Sequence, residues 1–469
     1  MDKEAFRKHG HQLIDWVADY FDEVENYPVQ SRVQPGEIKG KLPGGPPQKG
    51  EGMDQLFSDF QKIIMPGVTH WQHPGWFAYF PANNSPPSVL AELLTAGLGL
   101  QCMIWQTSPA AEELEEVVLE WLRQMLALPQ GMTGVIQDTA STATLCALLT
   151  AREVATGFSS NEQGVLESLV VYTSDQAHSS IEKGAKIAGY GREFIRFIPT
   201  DDNFAMVPHL LEEAVEQDKI AGLKPACVVA TLGTTSSGAV DPLEPIGAIC
   251  QRHGIWFHVD AAYAGTAALL EEERAMFKGA ERMDSFVFNP HKWMLTNFDC
   301  SAYFVKNPKL LTRTLEIHPE YLKTGQDAQV NNYRDWGIQL GRRFRALKLW
   351  FVIRTYGVEG LQELVREHLR LARLLKEWAE EDGRFELMAP AYFSLVCFRL
   401  NPGGAAEEEL DQINRRLLEE INATGQVFMT HTSLRGRFVL RLAIGQRTTS
   451  ERHVRDAWDL IQEKADCVL

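Results

Sequence analysis

The chain has no CxxC pair, and its seven cysteines, Cys102, Cys146, Cys227, Cys250, Cys300, Cys397 and Cys467, are scattered and odd in number. The simplest account is a reduced, cytoplasmic protein. Long apolar runs are missing too: the most apolar window, VLAELLTAGLGLQCMIW, is broken by Glu92 and falls short of the ~20 residues of a membrane span. The first residues, MDKEAFRKHGHQ, lack the apolar core of a secretory signal, so neither insertion nor export is expected. Positive charge is in deficit, with 46 Lys and Arg against 62 Asp and Glu and a net charge of -16. That balance opposes a general nucleic-acid binder, which must neutralise phosphates. No GxGxxG links a strand-like run to a helical one, which removes the dinucleotide signature. His70 and His73 lack a carboxylate companion, and Pro74 and Gly75 spoil a helical ligand pair, so no metal is expected.

What is present is ordinary globular material, 45% apolar and 23% charged over 469 residues, long enough for one large domain and smaller flanking ones. Phe6, Leu13, Val17, Phe21 and Val24 recur at helical spacing over 4–24, giving an amphipathic helix whose apolar face needs a cover. The following QPGEIKGKLPGGPPQKGEG is rich enough in Gly and Pro to predict an extended connector holding neither helix nor strand. From about residue 86, β-rich runs (LVVYT, REFIRFI, ACVVATL, IWFHVD, DSFVFN, SAYFVK) alternate with helical ones such as ATLCALLTAREVA and PLEPIGAICQRHG. This alternation predicts an α/β fold with a mainly parallel central sheet and flanking helices. After residue 357 a long amphipathic helix leads into a small α+β region with YFSLVCFRL and RFVLRLAI.

Open parallel sheets gather ligands at the carboxyl ends of their strands. Polar residues at those ends here are His178 in TSDQAHSS, Thr234 and Thr235 in GTTSSG, Asp260 in DAAYAG and Lys292 in NPHKW. Each has a plain alternative when taken singly: a solvated loop lysine, a turn or cap aspartate, a satisfied histidine, a capping threonine. Beside them, GVIQDTASTATLCALL runs from a turn into a helix, and Thr139, Ala140 and Ser141 stand where free backbone N-H groups and the helix dipole suit a phosphate. N-capping by Asp138 or Thr139 is the competing account. A phosphate cradle, a carboxylate and a desolvated lysine together suit pyridoxal 5'-phosphate: lysine binds its aldehyde, the carboxylate keeps its ring nitrogen protonated, and an imidazole stacks on its face.

These residues, together with MPGVTHWQHPGWFAYFP, SPAAEELE, NFAM, VATLGTT, FHVDAAYAG, FNPHKWML, NFDCSA, LGRRFRALKLWFV and VLRLAI, resemble the group II pyridoxal-phosphate-dependent decarboxylases, most closely the aromatic-L-amino-acid decarboxylases. The resemblance spans nearly the whole chain. It implies the aspartate-aminotransferase-like fold (PLP fold type I) and a homodimer, divided into an N-terminal helical segment swapped across the dimer (1–85), a large cofactor domain (86–357) and a small C-terminal domain (358–469). It implies that Lys292 is the covalent anchor, Asp260 the partner of the ring nitrogen and His178 the stacked residue. Thr139, Ala140, Ser141, Thr235, Ala262, Asn289 and His291 match further cofactor contacts.

The family's substrate wall matches Trp71, Phe80 and Pro81, followed by Ala82 where many relatives carry Thr. Met103 stands where an aromatic residue is common in animal members, and Gly341 matches a position where plant relatives carry Gly with indole substrates and Ser with phenols. Arg342 and Arg343 are candidates for carboxylate pairing or for structural ion pairs. Tyr321, in HPEYLKTGQDAQVNN, matches the family's proton donor on a mobile loop, where aldehyde-forming relatives often carry Phe. The implied reaction is decarboxylation of an aromatic L-amino acid to an arylalkylamine. The rivals are a decarboxylase of acidic amino acids, an aromatic aldehyde synthase and an inactive cofactor-binding scaffold; an acidic substrate would need a cation beside the aromatic wall, and the sequence offers no evident one.

Overall fold

The computed structural model describes residues 1–317, 325–327 and 329–469. Seven apolar segments pair into one sheet: β1 (Thr133–Gln137), β2 (Leu169–Ser174), β3 (Ile195–Ile198), β4 (Lys224–Thr231), β5 (Trp256–Asp260), β6 (Ser285–Phe288) and β7 (Ser301–Val305), in the order β1-β7-β6-β5-β4-β2-β3. Strands β3, β2, β4, β5 and β6 are parallel, and β7 runs antiparallel to both of its neighbours. Helices Ala140–Ala155, Ser180–Ile187, Pro208–Ile220 and Leu243–His253 lie in the crossovers. With both faces covered, β2, β5 and β6 are buried at every residue and β4 at all but its first two, which is why they read as continuous apolar runs.

A second, antiparallel sheet contains β8 (Phe385–Leu387), β9 (Leu395–Leu400), β10 (Thr430–Leu434) and β11 (Arg437–Ala443), in the order β10-β11-β9-β8. Each sheet has its own apolar core, and helix Arg345–Glu381 joins them. Its Leu349, Val352, Leu361 and Val365 enter the first core, and Leu371, Leu375 and Ala379 enter the second. The helix is interrupted at Gly357, whose φ of 65° lies in the left-handed region that glycine adopts at least cost. Phe77, from the N-terminal segment, is buried in the small sheet's core.

Two local expectations are corrected. The GVIQ stretch is edge strand β1, not a turn: it pairs with β7, and Gly134 gives Leu119 and Phe304 room to approach its backbone. The Gly- and Pro-rich connector contains a short helix, Glu37–Lys41, closed by a Lys41 to Glu37 ion pair of 2.8 Å. Helix Lys3–Glu23 forms as its periodicity predicts, but none of its residues is buried, and Phe6, Leu13 and Ile14 are exposed. No helix among the described residues is long and apolar enough to cross a membrane.

Candidate active site

Parallel pairing sets the carboxyl ends of β4, β5 and β6 side by side, with Thr231 opposite Asp260 and Asp260 opposite Val287. A cavity of about 220 Å³ opens at that edge. It is lined by Thr139, Ala140, Ser141, His178, Thr235, Asp260, Ala262, Asn289, His291 and Lys292, every residue predicted above to contact the cofactor, and also by Phe80.

Helix Ala140–Ala155 opens on this cavity with no side-chain cap. Asp138 Oδ1 instead accepts the Thr139 N-H at 2.5 Å, so the competing capping account fails and the first-turn amides are left for an anion. Asp260 is buried and accepts the Ala262 N-H through Oδ1 at 3.0 Å. His178 Nδ1 accepts the Ser180 N-H at 3.1 Å and lies 2.8 Å from the Ser180 hydroxyl, which leaves the neutral ring's proton on Nε2. Although this ring faces the open cavity, the protein packed around it holds its pKa down; Asp260 opposes that shift and Lys292 adds to it.

Lys292 follows β6 on a four-residue helical turn, Pro290–Trp293. Burial lowers its pKa, Asp260 counteracts, and the Arg441 cation lowers it further. An amine so placed is more readily unprotonated and nucleophilic than a solvated one. Its Nζ sits 5.5 Å from the Phe80 ring centre, and its carbonyl accepts Asn83 Nδ2 at 2.7 Å. Asn289 Oδ1 accepts the Ser301 hydroxyl at 2.6 Å, so β7 orients its carboxamide. His291 Nδ1 accepts the Cys300 N-H at 3.0 Å, and burial, with Lys292 nearby, pushes its pKa down to about 3. Both residues are therefore uncharged at neutral pH.

The donor set fits pyridoxal phosphate: an amine, a carboxylate across the cavity, helix-terminal amides for the phosphate and a neutral imidazole. The Thr231 hydroxyl, buried without a partner among the described residues, adds another polar group at the same edge. Gly233 completes the cradle: at φ +80° an added Cβ would stand 2.6 Å from the Ala264 methyl. The adjacent Thr234 is structural, its hydroxyl 2.8 Å from Ser237 Oγ and accepting the Ala239 N-H at 3.0 Å, while Thr235 faces the cavity.

Not every expected substrate residue lines this cavity. Pro81 lies against Gly445, Trp71 packs at a 30° tilt on Trp76 with ring centres 4.2 Å apart, and the Ala82 carbonyl accepts Gln72 Nε2 at 2.6 Å. Met103 and Gly341 occupy a separate patch, where segments 101–103 and 341–343 are zipped by Cys102 N to Arg342 O at 3.1 Å and Arg342 N to Gln101 Oε1 at 2.8 Å. Arg342 pairs with Glu115 at 2.6 Å and Arg343 with Glu92, so both arginines are structural. Tyr321 lies outside the described residues.

Sequence reasoning missed Arg441, and with it a cation beside the aromatic wall. It is buried in β11, its Cζ 5.3 Å from the Phe80 ring centre. Nη1 donates to the Tyr79 carbonyl at 2.9 Å, while Nε and Nη2 have no partner among the described residues. The available signal was alternation: Arg441 shares its strand face with Val439 and Ala443, both part of the large core.

A family model described as the pyridoxal-dependent decarboxylase conserved domain matches residues 35–401. Phenylacetaldehyde synthase of Arabidopsis thaliana is 47% identical, over 100% of this chain and 97% of that protein. Tryptophan decarboxylase 2 of Oryza sativa subsp. japonica is 46% identical, over 100% and 96%. A crystal structure of Oryza sativa TDC with PLP and tryptamine superposes with a TM-score of 0.97 at 40% identity, covering 99% of this chain and 98% of that one.

Proposed function

The chain belongs to the pyridoxal-dependent decarboxylases, and from that membership we propose that it removes CO2 from an aromatic L-amino acid of the tryptophan, tyrosine, phenylalanine or DOPA type, leaving the arylalkylamine. The observation that carries the aromatic reading is the Phe80 ring standing 5.5 Å from the Lys292 amine in one cavity. When bound, pyridoxal phosphate supplies the sink for the electron pair that CO2 leaves behind. The chain's residues do the rest. Lys292 would hold the cofactor covalently, Asp260 would keep a proton on its ring nitrogen, and His178 would cover the ring face. Thr139, Ala140 and Ser141 hold the phosphate. Arg441, with two donors that have no partner among the described residues, offers its charge to the substrate carboxylate. Tyr321 returns a proton to the substrate's α-carbon, and its hydroxyl favours the amine as product.

The working unit in this reading is a cytoplasmic homodimer, with 1–85 as the segment exchanged between copies, 86–357 holding the cofactor and 358–469 as the small domain. Two observations support it. The apolar side of helix Lys3–Glu23 is only partly covered within its own chain, Trp16 packing on Phe57 and Phe60 while Phe6, Leu13 and Ile14 stay exposed, and Met103 and Gly341 lie apart from the Lys292 cavity, so they meet substrate only if a second copy presents them.

A second reading, an aromatic aldehyde synthase, is favoured by the 47% identity to phenylacetaldehyde synthase. One assay separates these readings: CO2 release measured with tryptophan, tyrosine, phenylalanine, DOPA and glutamate, with amine, aldehyde and peroxide quantified in each. Amine from an aromatic substrate supports the proposal. Stoichiometric aldehyde and peroxide, or turnover of glutamate alone, would overturn it.

A further inference from the structure

Trp293, immediately after Lys292, is fully buried between two different kinds of contact. One ring face stacks on Tyr263 at 4.6 Å and 9°, and Tyr263 in turn stacks on Phe80 at 3.9 Å and 12°. The column thus runs from the lysine's own turn to the aromatic wall beside its amine. On the other side, the Trp293 indole N-H donates to His368 Nδ1 at 2.8 Å, and His368 Nε2 lies 3.1 Å from the Gln446 carbonyl.

The chemistry of these groups fixes their protons. Indole N-H is only a donor, so Nδ1 must accept, and the proton of the neutral ring must be on Nε2, donating to Gln446. A second proton on Nδ1 would face the indole N-H, and burial indeed holds this pKa down to about 4. Gln446 adjoins Gly445, whose carbonyl accepts Asn83 Nδ2 at 2.6 Å, while the same nitrogen reaches the Lys292 carbonyl at 2.7 Å. The turn after β11 therefore grips the lysine's turn twice, once through Asn83 and once through His368 and Trp293.

We propose that His368 is a positioning residue for the Lys292 amine, holding the Trp293-Tyr263-Phe80 column against the small sheet's 444–447 turn. The proposal rests on the reading of Lys292 as cofactor anchor. A reacting amine needs placement to within about 0.5 Å, which a rigid stacked column pinned at its far end supplies. His368 touches neither cofactor nor substrate, so its effect passes through Trp293.

The test uses the pyridoxal-phosphate-loaded protein. His368→Leu and Trp293→Phe each remove the 2.8 Å hydrogen bond by a different route, whereas His368→Gln retains an acceptor for Trp293 and a donor for Gln446. We expect either deletion to speed cofactor dissociation about tenfold and to move the pH midpoint of the lysine-bound cofactor's visible absorbance, with kcat lowered more than KM is raised. The double variant should be no worse than either single one, and His368→Gln should restore both readouts. If His368→Leu gives no soluble protein, Trp293→Phe decides the matter alone. Wild-type dissociation and absorbance in the deletions, or additive effects in the double variant, would sink the proposal, as would a lowered Tm with unchanged kinetics. Lys292→Ala keeps the underlying reading separate: if it retains the covalent chromophore, the anchor assignment fails, whatever the His368 variants do.

Discussion

Asn83 donates through Nδ2 to the carbonyl oxygen of Lys292 at 2.7 Å, across 209 residues of sequence. Its other bonds reach the Gly445 carbonyl and the Arg447 N-H, and its own N-H donates to the His291 carbonyl at 3.0 Å. Asn83→Ala leaves buried backbone groups without partners and should cost about 2–4 kcal/mol in urea unfolding, with weaker cofactor retention. Asn83→Asp should be at least as damaging, because a carboxylate would then face two carbonyl oxygens.

Replacing Arg441 separates folding from binding. Arg441→Met exchanges a buried cation for an apolar chain of similar length, which should leave Tm unchanged or higher. Affinity for the amino acid should fall about tenfold to a hundredfold, as expected for a lost charge-assisted hydrogen bond. Inhibition by the amine product, which has no carboxylate, should barely change. Equal losses for acid and amine would show that Arg441 acts only in packing.

Stability should peak near about pH 6.5. Burial holds His73, His258 and His368 down to about 4 and His291 to about 3, all below the ordinary 6.5. As pH falls from 6.5 to about 4, the unfolded chain takes up four protons that the folded chain refuses, and stability is lost. Glu112, raised to about 8 by burial and Glu115, and Asp241, raised to about 7 by burial, act oppositely. Their folded forms prefer the proton, so their contribution is present below about pH 4 and is lost as pH rises through 7 to 8. The histidines outnumber them on the acid side, and above 6.5 the two acids lead until, at about pH 8, Lys348, lowered to about 8 by burial, begins to act the other way. A Tm series from pH 4.5 to 8.5 checks the dome, and a monotonic rise across it would contradict the balance.

Tyr321→Phe removes the proposed proton donor while keeping its ring. Amine formation should drop by about 10² to 10⁴, with aldehyde, ammonia and peroxide, formed at the expense of dissolved O2, taking a larger share of product. Unchanged amine output, measured by chromatography against consumed substrate, would assign the proton to another group.

Much of the site was legible because parallel strands with both faces covered must be apolar throughout, so a polar residue at the end of such a run stands out. Asp260 and Lys292 end two of these runs or follow them directly, β2, β4, β5 and β6 were readable for the same reason, and antiparallel β7 was readable because it too is buried throughout. Edge strand β1 was not: GVIQ is short, contains a glycine and runs straight into polar Asp138, so its pairing with β7 has no local trace. Arg441 escaped because an apolar strand tolerates one cation only where a tertiary partner or ligand receives it, and spacing does not report tertiary neighbours. For Met103 and Gly341, family resemblance suggested a substrate role, but no periodicity tells whether a residue faces the Lys292 cavity.

Helix Lys3–Glu23 buries none of its residues fully. In the homodimer reading, part of what this segment gains from leaving water comes from a surface outside its own chain, and that gain obeys mass action. The protein's heat resistance becomes a function of its own concentration: Tm should climb as the solution is made denser and slide as it is diluted. A purified stock and a nanomolar assay would then contain differently durable forms of the same polypeptide.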